Sequence, residues 1–167
     1  MKKRVIELMK AVYPGSFDPI TYGHIDIIER SAAIFDKIVV LVTYNVKKKY
    51  SFSFKERIEM AKESLISFKN VEVVSYDGLL VDFLKQNSIK VVIRGLRVIS
   101  DFEHELQMAH ANKALYNNME TFFLMTDNEY SYISSSMVKE IVQFGGDVIS
   151  WVPEKVAMKL KKLYKVN

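Results

Sequence analysis

Apolar residues along this chain come in short runs separated by longer, helix-patterned stretches, and the alternation repeats. The first run covers residues 10–13, with a start reaching back as far as Val5, and Pro14 and Gly15 punctuate its end. Ile25, Ile28, Ala32 and Phe35 then recur at helical spacing, which predicts an amphipathic helix over 23–34. Residues 37–43 (KIVVLVT) are β-branched and apolar on both faces, as a buried parallel strand requires. Ser53-Phe54-Lys55-Glu56 forms a capping box that opens a helix running to 67. A strand over 71–75, a helix over 79–86 and a strand over 91–93 follow, the last running into Arg94 and Gly95. Ser100 and Glu103 form a second capping box, before a long helix to 116. The remaining elements are a strand over 121–125, a helix begun by Ser134-Ser135-Ser136 and ended by Gly145-Gly146, and a terminal helix over 156–164.

Strand and helix thus alternate five times, with one further helix. Such alternation argues for an α/β fold, a parallel sheet covered on both faces with right-handed crossovers. A strand order of 3-2-1-4-5 places the reversal between the first and fourth strands. In open α/β sheets, ligands bind outside the carboxyl ends of the strands at that reversal. The expectation is a Rossmann-like doubly wound five-stranded parallel sheet with helices on both faces and a C-terminal helix. Residues 1–167 form one domain in this reading, with 1–8 as an N-terminal extension.

Composition narrows the function without choosing it. The chain has 167 residues, 49% hydrophobic and 26% charged, which are ordinary globular values. A net charge of +4 and a pI near 9.1 suit anionic ligands, whether nucleotides, nucleic acid or phosphorylated metabolites. The lack of cysteine excludes a disulfide, a thiolate metal site and a cysteine nucleophile. No apolar run is long enough to span a membrane, and the basic N-terminus is too short and interrupted for a signal peptide. The expected location is the cytoplasm.

Two distant segments hold the candidate chemistry. Tyr13-Pro-Gly-Ser-Phe-Asp-Pro-Ile-Thr-Tyr-Gly-His24 follows the first strand, and Ile93-Arg-Gly-Leu-Arg97 follows the fourth. Thr21-x-Gly23-His24 opens a helix, where backbone N–H groups and the helix dipole favour an anion. Arg94 and Arg97 offer paired donors that match phosphate geometry. Lys47-Lys48-Lys49 is open to three readings: a solvated loop, a nucleic-acid patch, or a cation reaching the crevice. The serines at 134–136 read as a helix cap by themselves, and as phosphate ligands in company. His104 and His110 lie too far apart on one helix to chelate a metal together. Met60, Met108, Met119 and Met125 read as core filler, and Trp151 as a packing anchor. The chain has no Walker-type Gly-x-x-x-x-Gly-Lys loop and no Gly-x-Gly-x-x-Gly after the first strand.

Taken together, Tyr-Pro-Gly-Ser-Phe-Asp-Pro-Ile-Thr-x-Gly-His, Ile-Arg-Gly-Leu-Arg, Asp-Phe-Glu-x-Glu-x-Gln-Met-Ala and Tyr-Ser-x-Ile-Ser-Ser-Ser resemble bacterial phosphopantetheine adenylyltransferases. The resemblance runs from Met9 to the end of the chain. It implies transfer of the adenylyl group of ATP to 4′-phosphopantetheine, giving dephospho-coenzyme A and pyrophosphate in coenzyme A biosynthesis. It implies Mg²⁺ carried by ATP, with no metal site of the protein's own, a homohexamer, and coenzyme A as a candidate inhibitor. It implies neither a nucleic-acid nor a membrane partner. By motif, Ser16, Phe17, His24, Gly95, Leu96, Arg97, Glu105, Tyr130, Ser131, Tyr132, Ile133, Ser134, Ser135 and Ser136 would contact ATP. Ser16, Lys48, Leu80 and Arg94 would hold 4′-phosphopantetheine, and His24, Lys48 and Arg97 would be catalytic.

The chemistry suits this inventory of donors and cations. A substrate phosphate attacking in line on the α-phosphorus needs no protein nucleophile and no covalent enzyme intermediate, only positioning and charge stabilisation. Three positions depart from the family pattern. Tyr22 replaces the usual Asn, Tyr50 stands where proline is common, and Met9 falls where the family's first methionine is expected. Related transferases acting on nicotinate mononucleotide or glycerol phosphate are the nearest rivals. A basic nucleic-acid-binding module is a more distant one, and would leave the Gly-His helix start without a purpose.

Overall fold

The computed structural model describes residues 8–44 and 48–166. The predicted strand start at Val5, most of the N-terminal extension, and Lys47 lie outside the described residues. Five parallel strands form one sheet in the order β3-β2-β1-β4-β5. They are β1 (Lys10–Gly15), β2 (Lys37–Thr43), β3 (Val71–Tyr76), β4 (Val91–Leu96) and β5 (Glu120–Met125). Helices α1 (Tyr22–Ala32), α2 (Phe54–Ser64), α3 (Leu80–Gln86), α4 (Ile99–Leu115) and α5 (Ser135–Gln143) each follow a strand, and α6 (Glu154–Tyr164) comes last. The predicted Rossmann-like architecture and strand order are those observed.

The central strands read as continuous apolar runs because both their faces are covered. Ala11, Tyr13, Ile38, Val40 and Val42 point into a core with residues of α1, α2, α5 and α6. Their neighbours Val12, Val39 and Leu41 point the other way, against Val81, Phe83 and Leu84 of α3. A fully buried Val, Leu or Ile contributes about 1.5–3 kcal/mol, so two stacked cores far outweigh any single surface contact.

Strand registers create the crevice. β1 pairs with β2 along its whole length, from Lys10↔Lys37 to Gly15↔Val42. It pairs with β4 only at Ala11↔Val91 and Val12↔Val92. β4 stays paired with β5 as far as Leu96↔Met125. Beyond Val12 and Val92 the sheet therefore splits, and the two halves diverge at their carboxyl ends.

This split corrects two predicted strand ends. Pro14 and Gly15 do not end β1, and β4 continues through Arg94 to Leu96 instead of stopping at Ile93. The Pro14 carbonyl accepts a hydrogen bond from Arg94 Nη1 at 2.9 Å, so this edge of Pro14 faces β4. In a strand the N–H and C=O of one residue point the same way. The donor that proline lacks is therefore missing where β1 and β4 have already parted.

Two further expectations fail on the β4 side. Ser100 and Glu103 form no capping box, because α4 starts earlier, with Val98 as its uncapped N-cap residue. Asp101 instead turns back to accept from the Arg97 N–H at 3.2 Å and from its Nε at 3.0 Å. Met60 and Met119 are buried as predicted, but Met108 and Met125 are exposed at 45% and 58%. They lie on α4, which has no buried residue, and on the neighbouring β5.

Candidate active site

The loop after β1 is organised around the start of α1. Thr21 is the N-cap residue, and its side chain accepts from the His24 N–H. In return the Thr21 N–H donates to His24 Nδ1 at 3.0 Å. Histidine thus fills the place that glutamate takes in an ordinary capping box. Because Nδ1 accepts from a backbone N–H, the proton of the neutral ring sits on Nε2, the nitrogen not spent on the cap.

Three effects keep that ring neutral. Burial lowers the His24 pKa most, and the charges of Arg97 and Lys48 push it down further, to about 4. His24 therefore presents a neutral N–H donor at physiological pH. Phe17 packs its ring edge against the His24 ring at 5.2 Å, and Tyr13 lies behind at 6.5 Å. Burial raises the Tyr13 phenol to about 12 against the pull of Arg94, so it too stays neutral.

The helix start is less open to anions than the motif alone implies. The Tyr22 N–H donates to the Trp151 carbonyl at 2.9 Å, and the His24 N–H returns to Thr21. Gly23 carries the first-turn N–H of α1 that has no protein partner among the described residues. An added Cβ at Gly23 would meet no protein atom closer than 3.6 Å. Packing does not demand glycine there, and its effect is to leave the backbone bare toward the crevice.

Arg94 and Arg97 face this helix start from β4 and its end. Arg94 forms a two-point pair with Glu105 of α4 through Nε and Nη2. Arg97 pairs with Asp101 in the same manner and donates from Nη1 to the Ile133 carbonyl at 3.4 Å. Burial pushes the Asp101 carboxyl up, but hydrogen bonds from the Arg97 guanidinium and N–H outweigh it and hold it below its ordinary value. Both arginines arrive oriented and charge-compensated.

The third wall is the start of α5. Ser134 is its N-cap residue and accepts from the Met137 N–H at 3.1 Å. Ser135 Oγ donates to the Pro19 carbonyl at 2.8 Å, which ties α5 to the β1 loop. These walls enclose a cavity of about 300 Å³ that reaches Gly23, His24, Lys48, Arg94, Arg97 and Ser134–Ser136. A second cavity of about 320 Å³ shares His24, Lys48, Ser135 and Ser136 and extends to Ser16, Lys49 and Lys139.

The structure thus brings together most of the residues singled out by motif. Gly95, Glu105 and Ile133 line the first cavity, and Ser16 and Phe17 the second. Leu96, Tyr130, Ser131 and Tyr132 line neither cavity. Leu80 packs against the α3-side core at the start of α3 and also lines neither. Tyr22 is accommodated by stacking on Tyr130, with ring centroids 6.2 Å apart.

Sequence patterns did not assign a role to three residues here. Asp18 is buried and accepts from the Ser51 N–H at 3.0 Å, the Phe52 N–H at 2.9 Å and Lys139 Nζ at 2.8 Å. Thr126 lines the first cavity. Arg57 is fully buried beneath the loops after β1 and β2. Thr126 and Arg57 belong to no local pattern that would have marked them, and the motif that contains Asp18 does not show its buried role.

Fold and crevice define the class first. Residues 12–141 match the cytidylyltransferase-like family model, so the crevice is that of a nucleotidyltransferase. A phosphopantetheine adenylyltransferase from Petrotoga mobilis is 56% identical over 91% of this chain and 94% of its own. One from Dictyoglomus turgidum is 53% identical over 96% of this chain and 100% of its own. The chain belongs to the phosphopantetheine adenylyltransferase family. A solved structure named "putative nicotinate-nucleotide adenylyltransferase", from Vibrio parahaemolyticus, superposes with a TM-score of 0.69 at 13% identity, over 95% of this chain and 96% of its own. That likeness shows the shared fold alone.

Proposed function

We propose that this chain transfers the adenylyl group of ATP to 4′-phosphopantetheine, releasing pyrophosphate and forming dephospho-coenzyme A. The observation that carries the mechanism is the neutral Nε2–H of His24, set between two compensated arginines and the start of α5. The attacking group is already a phosphate oxyanion, so no base or nucleophile is required. The protein's task is to align the two phosphates and to stabilise charge at the α-phosphoryl oxygens.

In this reading the oxygen of 4′-phosphopantetheine forms the new P–O bond in line with the α–β bond that breaks. Pyrophosphate leaves with the bonding electrons. His24 donates its neutral Nε2–H to an α-phosphoryl oxygen, and no proton is transferred. Lys48 adds positive charge from the shared edge of the two cavities. Arg94 orients the acceptor, while Arg97 and Ser134–Ser136 hold the nucleotide.

Mg²⁺ belongs to the substrate in this scheme. Asp18, Asp101 and Glu105 reach the cavities, and each is already paired with Lys139, Arg97 or Arg94. No cluster of three metal-binding side chains occurs among the described residues. The ion would enter on the triphosphate and offset charge on the leaving pyrophosphate. The homohexamer belongs to the same proposal, since assembly would cover the apolar side chains exposed on α4 and β5.

The deciding experiment is pyrophosphate release from Mg-ATP with 4′-phosphopantetheine, with nicotinate mononucleotide, and with no acceptor. Release with 4′-phosphopantetheine alone is expected. Release only with the mononucleotide would move the acceptor, and no release with either would overturn the assignment.

A further inference from the structure

Among the described residues Arg57 stands with the largest fully buried side chains, at 1% exposed, yet it is a cation, with the buried Asp18 carboxylate close enough to act on it. From α2 its Nη1 donates to the Ser16 carbonyl at 2.5 Å and to the Thr43 carbonyl at 3.1 Å. Those carbonyls lie just past the end of β1 and at the end of β2. The guanidinium lies 4.0 Å from the centre of the Tyr50 ring and 5.1 Å from that of Phe54. Among the described residues its Nε is the buried side-chain polar atom that has no hydrogen-bond partner.

Burying a cation with an unsatisfied N–H is costly, and a well-packed apolar side chain would often serve stability as well or better. What an apolar side chain lacks is a nitrogen, Nη1, that donates to two carbonyls while the guanidinium plane lies against a ring. Two of the joined parts border the second cavity. Ser16 and Tyr50 line it, and Lys48 lies two residues before Tyr50. On the other side of the same loop, Asp18 holds the N–H groups of Ser51 and Phe52. Residues 50–52 are thus gripped from both sides. Lys48 itself is exposed and has no ion pair among the described residues, so its position is inherited from the loop.

We propose that Arg57, acting through the Tyr50 ring and the Ser16 carbonyl, is a positioning residue that fixes where Lys48 stands beside His24. This rests on the adenylyl-transfer reading for its consequence, though not for its geometry. Tyr50 supplies through its side chain the restraint that proline would supply through the backbone. The charge of Lys48 already acts on His24, which contributes to the low pKa of that ring.

The test is a double-mutant cycle of Arg57→Lys and Lys48→Ala. Arg57→Lys keeps the charge and loses the fork and the stack. Two quantities are read in all four proteins: kcat for transfer, and the Kd for inorganic pyrophosphate by titration calorimetry. Arg57→Lys is expected to lower kcat about 10- to 100-fold, with little change in the KM for ATP, and to weaken pyrophosphate binding. In the Lys48→Ala background both effects should shrink to less than about twofold. Equal losses with and without Lys48 would overturn the proposal. Should Arg57→Lys fail to fold, Tyr50→Leu should reproduce the loss, and a silent Tyr50→Leu would overturn the proposal. If wild-type protein released no pyrophosphate with 4′-phosphopantetheine, the transfer reading would fall, and the pyrophosphate cycle would still decide the role of Arg57.

Discussion

The two sides of the crevice are built on opposite principles. On the β1–α1 side the proposed key donor, His24, is neutral, carries no ion pair among the described residues and owes its orientation to a helix cap. On the β4–α4 side the donors are two arginines, each already compensated by a carboxylate from α4. A donor with no competing partner responds fully when charge develops in front of it. A compensated arginine offers shape and a modest field, with its orientation already fixed. The division assigns rate to the first side and ground-state binding to the second.

The largest predicted effect tests that assignment directly. Removing one preorganised donor to a developing oxyanion costs about 10²–10³ in rate. His24→Ala should lower kcat by that factor while the KM for ATP changes little. A variant with near-wild-type kcat would erase the asymmetry. Arg94→Ala should do the reverse, raising the KM for 4′-phosphopantetheine by about 10- to 100-fold with a smaller change in kcat. Part of that loss would come from Glu105, left unpaired in the crevice. Arg94→Ala with Glu105→Gln should therefore bind the acceptor better than Arg94→Ala alone. If the double variant binds worse, Glu105 does more than compensate Arg94.

How far each side could be read from sequence follows the same line. The cap at Thr21–His24 joins residues three apart, and its motif announces it. The paired apolar faces of β1 and β2 announce a buried parallel sheet, and with it the switch point. The β4 side misled at Ser100, because Asp101 is drawn back to Arg97 and the helix starts two residues early. Pro14 and Gly15 misled as strand ends, because their acceptability depends on where β4 parts from β1. The buried roles of Arg57 and Asp18 left no trace, since their partners Ser16 and Lys139 lie 41 and 121 positions away along the chain. Long-range polar bonds have no periodicity to betray them.

The neutral state of His24 also predicts a pH dependence of stability. The folded ring resists protonation until about pH 4, whereas the unfolded chain takes up the proton near pH 6.5. Protons therefore favour unfolding as pH falls through that window, and above it the contribution is level. Between pH 7 and pH 5 the loss attributable to this one residue should reach ~2 kcal/mol. Urea unfolding at the two pH values would measure it, and His24→Gln should flatten the slope. An unchanged slope in that variant would mean that the ring is not held neutral by the fold.

The smallest effect separates two glycines, Gly23 and Gly95, that face the crevice from opposite sides. A Cβ at Gly95 would come within 3.1 Å of Ile27 Cγ1 and 3.2 Å of the Tyr13 hydroxyl. That is tight protein packing, and Gly95→Ala should destabilise the fold by about 1 kcal/mol. At Gly23 the nearest protein atoms stand 3.6 Å away, so the fold has room for a methyl group. Alanine also favours a helix over glycine by about 0.5–1 kcal/mol. Gly23→Ala should therefore leave the melting temperature unchanged or slightly raised. If the bare backbone there exists for the nucleotide, the same variant should weaken ATP binding measured by calorimetry. Weakened binding with intact stability would mark Gly23 as shaped by the ligand and Gly95 by the core. Intact binding would show that the nucleotide does not approach the start of α1, and the rate-determining role given to this side would rest on His24 alone.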